Sequence, residues 1–104
     1  MTGSNPSDLQ AAIALCVRAC TNATSRAHDF HLRTEARTAS QQLDSMNARI
    51  GRTSGAGKPI AALIAETNVV TKQLDAAVSD SAIDVAVAAA ENLCAHLRQN
   101  FRPV

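Results

Sequence analysis

The chain has no tryptophan, no tyrosine and only two phenylalanines, Phe30 and Phe101. Sheet cores draw on β-branched and aromatic side chains, so this scarcity argues against a β fold. It also removes the rings on which bases stack in single-strand nucleic-acid binding. Cysteine is sparse and odd in number, with Cys16, Cys20 and Cys94 alone. Three thiols make a poor disulfide framework and suit a reducing, cytoplasmic compartment. A dominant charge is missing too: the net charge of +1 creates no overall field toward nucleic acid or membrane. No apolar run is long enough to span a bilayer, the longest being residues 85–90. Met1 to Ser7 is polar and lacks a charged stretch leading into an apolar core, so no signal peptide is expected. The glycosylation sequon Asn22-Ala23-Thr24 then has no secretory context.

What the chain has instead is alanine, which makes up much of an apolar share of 46%. Alanine is the best helix former, and 104 residues give room for one domain with one core. The apolar positions repeat in steps of four and three, the signature of a helix seam. Four seams follow one another. The first is Leu9, Ile13, Cys16, Cys20, Ala23, Ala27, Phe30, and the second Leu32, Ala36, Ala39, Leu43, Met46, Ile50. The third is Ile60, Leu63, Thr67, Val70, Leu74, Ala77, and the fourth Ile83, Val87, Ala90, Cys94, Leu97, Phe101. The first two seams are out of phase. Between them lies either a turn at Asn22-Ala23-Thr24-Ser25, with Ser25 as a fresh cap, or a phase shift inside one long helix. A second slip falls at Ser79-Asp80-Ser81, where Asp80 or Ser81 suits a helix start. Residues 51–58 hold three glycines before Pro59 and form the one clear loop. Residues 1–6 read as a disordered start to a single helical domain over 7–104, with Ser7 as its first cap. No residue-level repeat relates the two halves.

Two all-α antiparallel architectures satisfy this pattern. One is a four-helix up-down bundle closed within the chain, with helices near 7–23, 25–50, 59–78 and 80–101. The other is a hairpin of two long helices that dimerises into a four-helix bundle, with Leu43, Met46, Ile50 and Leu74 at the contact between chains. Charge is uneven along the sequence: residues 17–58 hold seven Lys/Arg and three Asp/Glu, and residues 59–97 one Lys and five Asp/Glu. The halves either neutralise each other by packing or leave a basic face for an acidic partner.

Apparent motifs thin out when their chemistry is tested. Gly51 to Lys58 looks like a phosphate loop, but Arg52 stands where the first glycine belongs and Pro59 where a Ser or Thr must bind magnesium. Cys16 and Cys20 share a helix face and, with Cys94, make a candidate zinc or copper(I) set. However, all three lie on seams, where free cysteine packs as a small hydrophobe. Cys94 and His96, two apart, point to opposite sides of a helix. His28 and His31 share a face and suit a surface junction. The fragment Ala27-His28-Asp29-Phe30 resembles the phosphoacceptor box of histidine kinase dimerisation hairpins and related phosphotransferases. The resemblance covers about four residues and departs from the box downstream, at His31, Arg33 and Thr34. It implies His28 as phosphoacceptor on a long helix, with Asp29 orienting the imidazole. No other catalytic constellation is present, and no cofactor is expected. The reading with most physical support is a non-enzymatic helical protein–protein interaction module, an adaptor, chaperone-like or regulatory subunit, that self-associates. Phosphotransfer at His28 and a metal-binding bundle are the alternatives, with no nucleic-acid or membrane partner.

Overall fold

Four helices account for nearly all of residues 5–53 and 57–102, which the computed structural model describes: α1 (Pro6–Arg26), α2 (Phe30–Ile50), α3 (Ile60–Ala76) and α4 (Asp80–Asn100). Among the described residues there is no strand. The chain therefore takes the one-chain bundle, and the pair of long continuous helices does not form. The domain start is one correction. Asn5 caps α1 by accepting the Asp8 amide N–H at 3.0 Å, while the Asp8 carboxylate accepts the Asn5 N–H at 3.3 Å. This reciprocal box, with Pro6 in the first turn, starts the helix before Ser7. Of the expected disordered segment, residues 1–4 lie outside the described residues, whereas Asn5 and Pro6 are structured.

The first break is also displaced from where the sequence suggested it. Residues 22–25 stay helical because the seam beneath them keeps burying Cys20, Ala23 and Ala27. Thr21 and Thr24 hydroxyls bond back to the Val17 and Cys20 carbonyls at 3.0 Å, which satisfies them without leaving the helix. The chain turns instead at residues 27–29, where Asp29 accepts the Leu32 N–H at 2.9 Å and caps α2. The second break falls at residues 77–79, with the Ser79 hydroxyl accepting the Ala82 N–H at 3.2 Å as the cap of α4. Ala27 and Ala77, the first residues of the two turns, are both extended and buried.

Each three-residue turn folds its flanking helices into an antiparallel hairpin. The two hairpins then stack: α1 lies against α2 and α3, and α4 against α2 and α3, leaving α1 opposite α4 and α2 opposite α3. Both turns sit at one end, since Arg26 at the end of α1 reaches the carbonyls at the end of α3. Overall extents of 42 × 29 × 16 Å describe two helical layers, the thin dimension matching one interhelix spacing plus backbone width.

Every residue of the four seams is buried except Phe30, which is 80% exposed at the start of α2. α1 widens its stripe with Ala12 and Ala19, and α4 with Ala86 and Leu93. The halves do repeat, in burial register rather than residue identity: each buried position of α2 recurs 51 residues later, from Leu32/Ile83 through Leu43/Cys94 to Ile50/Phe101. Leu43, Ile50 and Leu74 are fully buried and Met46 is 3% exposed. These four residues were expected at a contact between chains, and that expectation is corrected. Once the chain breaks into four helices, one copy closes all four seams on itself. Leu43→Ala and Leu74→Ala should each lower stability by about 2–5 kcal/mol in denaturant titrations and leave the association state unchanged. Phe30→Ala should change stability by less than about 0.5 kcal/mol, since its ring is already in water.

Candidate functional site

The end that carries both turns is built around Asp80, the first residue of α4. Its carboxylate accepts the backbone N–H groups of His28 and Asp29, each at 2.9 Å, and lies 3.5 Å from His28 Nδ1. In return Arg26 donates from Nε to the Ala77 carbonyl at 3.0 Å and from its terminal nitrogen to that of Leu74 at 2.5 Å. Each hairpin thereby caps the turn or helix end of the other. Arg33 Nε closes the arrangement onto the Ala27 carbonyl at 2.6 Å.

His28 is 86% exposed in its side chain, as a phosphoacceptor would be, but it lies in the turn and not on a long helix. Asp29 is committed to capping α2, and the carboxylate beside the imidazole is that of Asp80. The geometry implied by the resemblance to the phosphoacceptor box is therefore corrected in both respects. The reason is local: an N-cap needs a short acceptor just before the first helical turn, and Asp29 fills that position. His31, on the first turn of α2, sits 3.5 Å from Glu35. His96 Nδ1 lies 2.7 Å from a Glu66 carboxylate oxygen and joins α3 to α4 on their outer side.

The three cysteines are free and buried. Cys20 donates its thiol to the Ala36 carbonyl at 3.2 Å. Burial pushes the Cys20 thiol up to about 12, with Cys16 and Glu91 adding to the rise. Cys16 is raised chiefly by burial, opposed in part by the Thr71 hydroxyl. Cys94 is raised by burial against the pull of Arg98 and Arg49. Among the described residues, no group of three His, Cys, Asp or Glu side chains is placed to hold a metal ion. None of the helices described is long and apolar enough to cross a membrane.

Two surfaces that sequence reasoning did not single out become visible once the helices are placed. Along the outer side of the second hairpin, Ala62, Val69, Gln73 and Ala76 of α3 face Ala82, Val85 and Ala89 of α4, following the spacing that sets Glu66 beside His96. Val69 and Val85 are 56% and 65% exposed. Near the turn a hollow of about 360 Å³ is lined by Gln73, Ala76, Ala77, Ala82 and Val85. The second surface is basic. Arg49, Arg52, Lys58, Arg98 and Arg102 collect toward the end opposite the turns, with Asp8 and Asp44 also in that half, while Asp29, Glu35, Asp75, Asp80 and Asp84 lie toward the turn end with Arg26 and Arg33. The halves do not neutralise each other through ion pairs: among the described residues every carboxylate pair involves a histidine and none a Lys or Arg.

Two measurements test this geometry. The backbone donors hold the Asp80 carboxyl below the usual carboxylate range. A carboxyl lowered in the folded state stabilises above its unfolded pKa of about 4 and ceases to do so as pH falls through the folded value. Asp80→Asn should therefore unfold at a lower temperature than the wild type near neutral pH, and the two midpoints should converge as pH falls through the lowered Asp80 value, as read by thermal circular dichroism. Ellman's reagent at about pH 8 should find no rapidly reacting thiol in the folded protein and three after denaturation, since a raised pKa and burial both withhold the thiolate.

No family model, curated protein or solved structure matches this chain.

Proposed function

We propose that the protein is a non-enzymatic helical interaction module that self-associates through the outer side of its second hairpin. The observation that carries this reading is the exposed Val69 and Val85 amid the alanines of α3 and α4. The first hairpin turns Arg33, Arg37 and Asp44 to solvent, whereas the charged groups in or beside this strip are the Glu66–His96 pair and Lys72. A strip of small apolar side chains is complementary to itself, and a two-fold contact is the commonest way for such a patch to be covered. Small side chains let two helical layers approach closely, near the 8–10 Å interhelix spacing of ordinary packing. Contiguous exposed apolar surface of this kind marks contact sites on small proteins. The occupant is a second copy of this chain, layered so that α3 and α4 of each protomer meet.

Sedimentation and light scattering across the micromolar range test it directly. The wild type should show a concentration-dependent dimer. Val69→Glu and Val85→Glu should each give a monomer with unchanged helix content, because each places a charge in the contact without a partner. A wild type that remains monomeric throughout, or a dimer indifferent to both substitutions, would refute self-association through this strip.

A further inference from the structure

Between α2 and α4, on a different side from the apolar strip, lies a groove enclosing about 200 Å³, with Thr38, Gln42, Ser45 and Arg49 on one wall and Arg98 on the other. Arg98 also lines an adjoining hollow of about 260 Å³ that extends past the end of α4 to Arg102. No Asp or Glu lines either space. We infer that this groove is a binding site for an acidic peptide segment of a partner protein, with Arg49, Arg98 and Arg102 receiving its carboxylates.

The bland account of these arginines covers only part of what is there. Arg49 and Arg98 occupy the last turns of α2 and α4, where a positive charge opposes the helix dipole favourably. That account explains their place along each helix. It does not explain why they converge across one hollow, nor why their neighbours in it, Met46 excepted, are hydroxyls and carboxamides. Arg98 reaches inward only as far as the Cys94 sulfur, at 3.8 Å, and neither arginine has a carboxylate partner among the described residues.

The mixture of groups selects the ligand. A free phosphate offers acceptors alone and would use the guanidiniums and little else. A peptide brings carboxylates for the arginines and also backbone N–H and C=O groups, which Thr38, Gln42 and Ser45 can both accept from and donate to. Nucleic acid is disfavoured because no aromatic side chain borders the groove: Phe30 is at the opposite end and Phe101 is fully buried. Arg98 in the last turn of α4 and Arg102 just beyond the helix end both border the second hollow, so carboxylates spaced along a short segment can meet them in succession.

Fluorescence anisotropy with the full chain and a fluorescein-labelled peptide of alternating glutamate and alanine tests the site. Saturable binding that weakens with added salt is expected, with no binding of the matching lysine peptide. The double variant Arg49→Gln/Arg98→Gln should lose about tenfold in affinity while keeping its helix content, and Arg18→Gln, on exposed α1, should not. Absence of binding, or equal binding by the double variant, would overturn the inference. So would displacement of the peptide by inorganic triphosphate at near-stoichiometric amounts, since the surface would then belong to a phosphate ligand. The result is independent of self-association: Val69→Glu should bind the peptide as the wild type does, so failure of one reading leaves the other standing.

Discussion

The reciprocal capping at the turn end is the constraint on which the rest of the arrangement depends. A helical hairpin can slide or rotate on another with little change in apolar contact, because alanine-rich surfaces are smooth. Hydrogen bonds are less forgiving of displacement. Asp80 fixes where the first turn sits relative to α4, and Arg26 fixes where α1 ends relative to α3. With both helix pairs registered at one end, the seams below meet layer by layer down to Ile50 and Phe101. Among the described residues, and apart from Thr71 beside Cys16, the polar contacts between hairpins gather at this end, and the opposite end is held by apolar packing. Lys58 lies over the Phe101 ring there, 5.6 Å from its centre, within the second hairpin alone.

Much of this fold was legible because a seam of period near 3.5 is a strong signal over twenty residues. Phe30 shows the limit of that signal. It continues the first seam in spacing, but the helix that would have carried it inward stops four residues earlier. The turn itself was hard to place, since Asn22-Ala23-Thr24-Ser25 has the residues of a break and Ala27-His28-Asp29 does not advertise one. Threonine and serine bond as readily to their own helix as to a cap, so composition alone could not decide between them. The matching register of the two halves was hidden for a related reason. Leu, Ala and Met in α2 are answered by Ile, Val and Leu in α4, a match in burial but not in letters.

The surfaces were much less legible than the core. Leu43, Met46, Ile50 and Leu74 are the residues a sequence reader notices, and for that reason they are the ones the fold consumes. The strip on the second hairpin is written in Ala, Val and Gln, which score weakly on any scale of apolarity and matter only when two helices set them side by side. The basic groove joins α2 to α4 across residues about fifty apart, beyond the reach of any local motif. Histidine misled in the other direction. His28 with Asp29 looked like a matched pair, but adjacency in sequence at a helix start means that the carboxylate faces the backbone ahead of it.

The short turns have a consequence for how the molecule reaches this state. Each hairpin can close over a separation of three residues, so its loop-closure entropy is small and its contacts are local. Joining the hairpins requires a longer search, across the connection between α2 and α3. The chemical instructions for the joining reside in the hairpins, at Asp80 and Arg26 and along the seams, and not in the connection. A break in the connection would turn an intramolecular docking into a bimolecular one, changing its dependence on concentration while leaving the matched surfaces intact.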